Sequence, residues 1–119
     1  MGAAAIERDD RSVHLLVERA RSRGEQLRTT AIVVAQVWRD PRGRQARLAR
    51  FLTGVRVRVV DQELGRAAGV LLGLAGTHDP IDATVVLIAQ DGDWILTSDP
   101  QDIEHLARVA QKQVLIVPC

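Results

Sequence analysis

The chain has 119 residues, 46% of them hydrophobic and 26% charged, which fits one globular domain spanning residues 1–119. No run of 18 apolar residues occurs, which argues against a membrane span, and no secretory signal pattern is found at the start of the chain. Cys119 is the one cysteine, which argues against an internal disulfide. These features predict a cytosolic location. The net charge is +1, yet residues 79–104 carry seven acidic residues and no Lys or Arg.

The first half of the chain predicts alternating helices and strands. The helices are marked by apolar residues at helical spacing and by capping residues, Thr30 being the expected cap of the second helix. The predicted helices cover about residues 10–23, 31–39 and 42–53, and the predicted strands cover Leu27–Thr30 and Val55–Val60. Val and Arg alternate in the second strand, so Arg56 and Arg58 share one face.

The second half continues the alternation. The predicted helices cover about residues 62–75, 80–89 and 100–110, and the predicted strands cover Trp94–Thr97 and Val114–Val117. Asp61 is the expected cap of the first of these helices, Pro80 suits the first position of the second, and Ser98 or Asp99 caps the third. Four glycines, at positions 65, 69, 73 and 76, are expected to allow close helix packing. Trp94 is expected in the core, and Trp38 is expected either in the core or, because it follows Gln36, in contact with substrate.

Strands that alternate with helices indicate an α/β fold, in which a short parallel sheet is covered by helices on both faces. In such folds ligands bind beyond the carboxyl ends of the strands. The acidic residues that follow Trp94–Thr97 fall at this edge. The sequence therefore places the candidate site there.

Two short acidic stretches carry the candidate chemistry. The first is Asp79-Pro80-Ile81-Asp82-Ala83, at the start of an apolar helix, and the second is Thr97-Ser98-Asp99-Pro100-Gln101-Asp102, where a strand gives way to a helix. Helix capping explains each stretch taken alone. If the two stretches converge, a hard divalent cation such as Mg²⁺ or Mn²⁺ offsets the repulsion between their carboxylates.

These stretches, together with Ala35-Gln36-Val37-Trp38-Arg39, resemble the PIN-domain family, and specifically the VapC-type toxins of bacterial toxin–antitoxin pairs. The order of helices and strands fits the family from about residue 7 to the C-terminus. The resemblance implies a three-layer α/β/α fold and an endoribonuclease that depends on Mg²⁺ or Mn²⁺. It also implies a homodimer and inhibition by a cognate, VapB-like antitoxin.

The resemblance assigns roles position by position. Asp82, Asp99 and Asp102 match the family's catalytic, metal-binding acids, and Thr97, with Ser98 beside it, matches the hydroxyl that orients them. Gln36 stands where the family has an acidic residue, usually Glu, and its amide oxygen can still coordinate a metal without adding charge.

A second departure lies at the start of the chain. The family begins with an apolar strand that ends in an essential Asp, whereas Met1–Ile6 contains no acid, so the first central strand is expected to be truncated and the activity impaired. Three explanations stay open. The start codon is misassigned, the gene is a decayed or repurposed homologue, or Glu7, Asp9 or Asp10 substitutes for the missing acid.

Five arginines lie within twelve residues, and they form either an RNA-binding cluster or the solvated face of a helix. They are Arg39, Arg42, Arg44, Arg47 and Arg50.

Two alternatives to the ribonuclease also remain. One is an inactive PIN homologue that acts as a binding module, and the other is a Mg²⁺-binding, receiver-like regulatory domain, which fits poorly because Lys112 precedes the last strand rather than ending one.

Overall fold

Helices and short strands alternate along the chain, as the sequence predicts. A computed structural model describes residues 11–38, 49–50 and 52–118, so most of the helix predicted over residues 42–53 lies outside the described residues. The helices are α1 (Arg11–Ser22), α2 (Ala31–Val37), α3 (Gln62–Ala75), α4 (Pro80–Ile88) and α5 (Pro100–Val109), and the strands are β1 (Leu27–Thr30), β2 (Val55–Arg58), β3 (Trp94–Thr97) and β4 (Leu115–Pro118). The mixed α/β class is confirmed.

The described strands form two separate parallel pairs. β1 pairs with β2 and β3 pairs with β4, each over four residues. Leu27 is opposite Val55 in the first pair, and Trp94 is opposite Leu115 in the second. The predicted parallel pairing is therefore found, but the four described strands do not join into one continuous sheet.

Three helices and β3 build the core. Helices α3, α4 and α5 pack against one another, and α4 also packs on β1. Ile95 and Leu96 of β3 point to opposite faces of the strand and are both fully buried, so β3 is covered on both sides. The core contains Val33, Leu64, Ala68, Leu71, Ala83, Val85, Val86, Ile88, Ala89, Ile95, Ile103, Leu106 and Ala107.

Polar side chains connect the two strand pairs. The guanidinium of Arg28, in β1, donates to the Asp93 carboxylate just before β3, with 2.5 Å between Nη2 and Oδ2. Near the other end of β1, the Thr30 and Thr84 hydroxyl oxygens lie 3.2 Å apart. Thr84 already donates to the Ile81 carbonyl, so the Thr30 hydroxyl is the donor to Thr84.

Some predicted local roles are wrong. Thr30 makes no side-chain capping bond to α2, because its hydroxyl points to Thr84 instead. The apolar run Ala31–Ala35 is typical of a buried helix, yet only Val33 within it is buried. Asp61 does cap α3 as predicted, accepting a 2.8 Å hydrogen bond from the Leu64 amide.

The glycines of α3 do not serve helix packing among the described residues. A Cβ added at Gly65, Gly69 or Gly73 meets no atom within 4 Å, so the prediction of close packing is wrong for these three. Gly76 ends the helix in the left-handed conformation, with φ of 70°, which glycine adopts without steric cost.

No single described helix is long and apolar enough to cross a membrane. Helices α3 and α4 reach the required length and composition only as a pair bent by 109°.

The tryptophans divide between two environments. Trp38, at the end of α2, is 38% exposed, so its predicted core position is wrong. Trp94 is half-buried at the start of β3, where its strand neighbours Ile95 and Leu96 are fully buried.

We predict that Gly69→Ala stabilises the protein by about 0.5–1 kcal/mol, because the added methyl meets open space and lowers the backbone entropy of the unfolded chain. Gly76→Ala should instead destabilise by about 1–2 kcal/mol, since alanine is strained at positive φ. Urea denaturation measures both variants. A loss of stability in Gly69→Ala comparable to that in Gly76→Ala contradicts an open helix face.

We further predict that Arg28→Met lowers the free energy of unfolding by about 3 kcal/mol, because the buried Asp93 carboxylate loses its cation. Arg108→Met is the matched control, since it breaks an exposed ion pair with Glu104 on α5 and should change stability little. Denaturant titration compares the two variants. Equal stability of both contradicts a structural role for the Arg28–Asp93 pair.

Candidate active site at the carboxyl edge of the strands

Helix α4 lies alongside the strands and runs opposite to them. At its midpoint, Thr84 contacts Thr30, the last residue of β1, so the first turn of α4 lies beyond the carboxyl end of that strand. At its other end, Lys112, three residues before β4, donates to the carbonyls of the last turn. The start of α4 therefore lies at the carboxyl ends of the strands. The helix has nine residues, about 13 Å in length, and its last turn lies at the amino ends of the strands.

Asp82 lies in the first turn of α4 and is buried, with 7% of its surface exposed. Asp79 caps this helix through Oδ1, which accepts from the amides of Ile81 at 2.9 Å and Asp82 at 3.3 Å. Because Asp79 performs the capping, the side chain of Asp82 is not needed as a cap. A buried carboxylate beside a helix N-terminus is stabilised by the helix dipole.

Asp99 lies at the same edge, because it follows the carboxyl end of β3 and precedes α5. It occupies the N-cap position without making a side-chain capping bond, so the predicted capping role is wrong for this residue. Its amide instead donates to the buried Thr97 hydroxyl at 2.9 Å, which fixes the backbone that carries the carboxylate. Ser98 between them is half-buried.

The other predicted site residues differ in position. Asp102 is exposed in the first turn of α5, three residues after Asp99. Gln36 is half-buried in the last turn of α2. It lies about 8 Å along the helix axis from Ala31, the residue that follows β1. The predicted RNA-binding residues Arg39, Arg42, Arg44 and Arg47 lie outside the described residues.

Two carboxylates lie at this edge, those of Asp82 and Asp99, at the starts of two helices that pack together. No group of three His, Cys, Asp or Glu side chains close enough to hold a metal occurs in the described part of the chain. Mg²⁺ is usually bound by one or two carboxylates and completes its shell with water, so two carboxylates are compatible with it.

The acidic block of residues 79–104 is divided between the two edges. Asp91 and Asp93 lie at the amino ends of β3 and β4, where Asp91 Oδ1 accepts from the Gln113 amide at 2.8 Å. Asp93 Oδ2 accepts from the Gln90 amide at 2.8 Å as well as from Arg28. Both carboxylates thus have structural partners far from Asp82 and Asp99. The sequence interpretation missed this network, because Arg28 and Asp93 are 65 residues apart and no local pattern links them.

Lys112 lies at the amino edge of the strands, opposite the candidate site. Its ammonium donates to the carbonyls of Val86, Leu87 and Ala89 at 3.1, 2.6 and 2.5 Å, and so closes the C-terminus of α4. Burial lowers the pKa of Lys112 below its usual value, and the charges of Arg28 and Arg58 lower it further, against the opposing effect of Asp91 and Asp93. A lysine held at this edge is far from the candidate site.

Comparison with known proteins adds no family assignment, since no protein-family model and no curated protein matches the chain.

We predict that stability rises with pH in the alkaline range through Lys112. Because its pKa in the native state lies below the value of 10.5 in the unfolded chain, the unfolded state binds more protons between the two values, and raising the pH favours folding there. Lys112→Met removes this increment. Urea titrations of both proteins across the alkaline range measure the difference, and curves that stay parallel up to pH 10.5 contradict the prediction.

Proposed function

We propose that the chain is a metal-dependent endoribonuclease of the PIN-domain, VapC-type class, with Asp82 and Asp99 as its central carboxylates. The observation that carries the proposal is that both residues begin helices at the carboxyl edge of the strands, although 17 positions separate them in sequence. This edge is where α/β folds place their ligands. A neutral amide in Gln36 replaces one expected acid, so we expect weak metal affinity and low activity.

The three-layer fold is part of this proposal. We propose that the two strand pairs are halves of one sheet, with β1 and β3 separated by the width of a single strand. Its support is the burial of both faces of β3 and the reach of Arg28 to Asp93. Strands two positions apart in a sheet lie about 9.6 Å from each other, a gap that an extended arginine side chain and an aspartate span together.

Each site residue then has a chemical role. Asp82 and Asp99 would hold a Mg²⁺ or Mn²⁺ ion, which would acidify a water and polarise a phosphoryl oxygen of the RNA. The Thr97 hydroxyl keeps the Asp99 backbone in place, and Asp102, exposed in the first turn of α5, would orient the water. Hydrolysis would form a bond from the water oxygen to phosphorus and break the bond to the leaving ribose oxygen, which would take up a proton.

The proposed partners are a VapB-like antitoxin and a second copy of the chain, together with RNA in the cytosol. Exposed apolar residues on the outer side of α3, Val70 and Leu74, support a protein partner, because side chains of this kind are often covered by one. The receiver-like alternative has less support. It requires a lysine at the carboxyl edge, and Lys112 lies at the opposite one.

We predict that the full chain cleaves single-stranded RNA in the presence of Mn²⁺ and that Asp99→Asn lowers the rate by at least about 100-fold, because a carboxylate that holds the ion is lost. Glu104→Gln, on the exposed face of the same helix, is the matched control and should retain the wild-type rate. Gel-resolved cleavage of a labelled oligonucleotide provides the measurement.

Two outcomes of this assay would contradict the proposal or favour the inactive homologue. Cleavage by Asp99→Asn at the wild-type rate contradicts the proposed site and points to a contaminating nuclease. Binding of Mn²⁺ or RNA without cleavage by the wild type favours the inactive homologue that acts as a binding module.

A further inference from the structure

Three arginines share one face of the β1–β2 pair. In the observed register Arg28 is opposite Arg56, and Thr30 is opposite Arg58. Because side chains alternate along a strand, Arg28, Arg56 and Arg58 all project to the same side, and Arg56 and Arg58 are about 6.6 Å apart along the strand. We call this surface the arginine face.

Only part of this positive charge is compensated within the fold. Arg28 is paired with the buried Asp93, whereas Arg56 and Arg58 are exposed and form no ion pair with any other described residue. Two exposed guanidinium groups, about 6.6 Å apart along one strand, are thus accessible to an anionic ligand.

The arginine face ends at the candidate site. Arg58 is the last residue of β2 and lies beside Thr30, the last residue of β1, whose hydroxyl contacts Thr84 at the middle of α4. Asp82 lies in the first turn of that helix, which extends beyond the carboxyl end of β1. A polyanion that follows β2 toward its carboxyl end therefore approaches the edge that carries Asp82 and Asp99.

We propose that Arg56 and Arg58 bind consecutive phosphates of a single-stranded RNA and direct the strand toward the carboxyl edge, an inference that rests on the ribonuclease proposed above. Each guanidinium fork donates two hydrogen bonds to the oxygens of one phosphate, so two neighbouring arginines suit consecutive phosphates of a backbone. The chain has 3% aromatic residues and no Tyr, so base stacking contributes little and binding is dominated by charge.

The test measures binding without cleavage. A fluorescently labelled, single-stranded RNA oligonucleotide is titrated with the full chain in EDTA at several KCl concentrations. We expect the double variant Arg56→Gln/Arg58→Gln to bind at least about tenfold more weakly, and its plot of log affinity against log salt to be flatter by about 1.4, the value for two lost phosphate contacts on a single strand.

Two further variants make the result specific. Arg66→Gln/Arg108→Gln removes the same charge from exposed positions on α3 and α5 and should leave both affinity and slope close to wild type. Arg56→Lys/Arg58→Lys keeps the charge and should restore the salt slope, which shows that the effect follows the positive charge at these two positions.

Three results overturn the inference: no RNA binding by the wild type, equal weakening in both Gln variants, or binding of poly-glutamate as tight as that of RNA. Failure of the two proposals can be told apart. Binding through the arginine face without cleavage in Mn²⁺ removes only the catalytic proposal. Cleavage with an unchanged KM in the Arg56→Gln/Arg58→Gln variant removes only the arginine face.

Discussion

The buried ion pair between Arg28 and Asp93 connects the two halves of this fold. Each described strand pair is only four residues long, and two-stranded sheets of this length have little stability of their own. The ion pair joins β1 to the residue that precedes β3, and the backbone amide of Gln90 satisfies the same carboxylate. Breaking such a pair leaves a buried charge without its counter-ion, which costs far more than losing an exposed pair. The mutual placement of the strands, and with it the edge that carries Asp82 and Asp99, depends on this contact.

Much of the chain's local structure could be predicted from sequence because its signals are local. β1 and β3 have the predicted bounds, and α3 and α4 begin at the predicted residues, where an Asp cap or a proline acts within a single turn. Strand ends were predicted less well. β2 ends at Arg58 and not at the predicted Val60. Its length is set by pairing with the four-residue β1, which the hydropathy pattern of β2 does not show.

Tertiary contacts explain where the sequence interpretation was wrong. Thr30 has the residue type and position of a helix cap, but a threonine 54 positions away provides its hydrogen bond. The glycines of α3 have a spacing that is typical of packed helices, yet that face is open among the described residues, since spacing identifies a face without identifying its neighbour. The acidic block illustrates the same limit. Composition suggested one group of carboxylates, and the fold divides it between two edges roughly 13 Å apart.

This division bears directly on function. Asp91 and Asp93 are held by backbone amides and by Arg28, near Lys112, so they stabilise the fold and do not compete for a cation. Asp82 and Asp99 lie instead at helix N-termini, where the helix dipole favours carboxylates. In the proposed function, these two carboxylates would hold the cation, while Arg56 and Arg58 would bind phosphates of the RNA. The two ligands would then be recognised by residues of opposite charge at one edge of the strands.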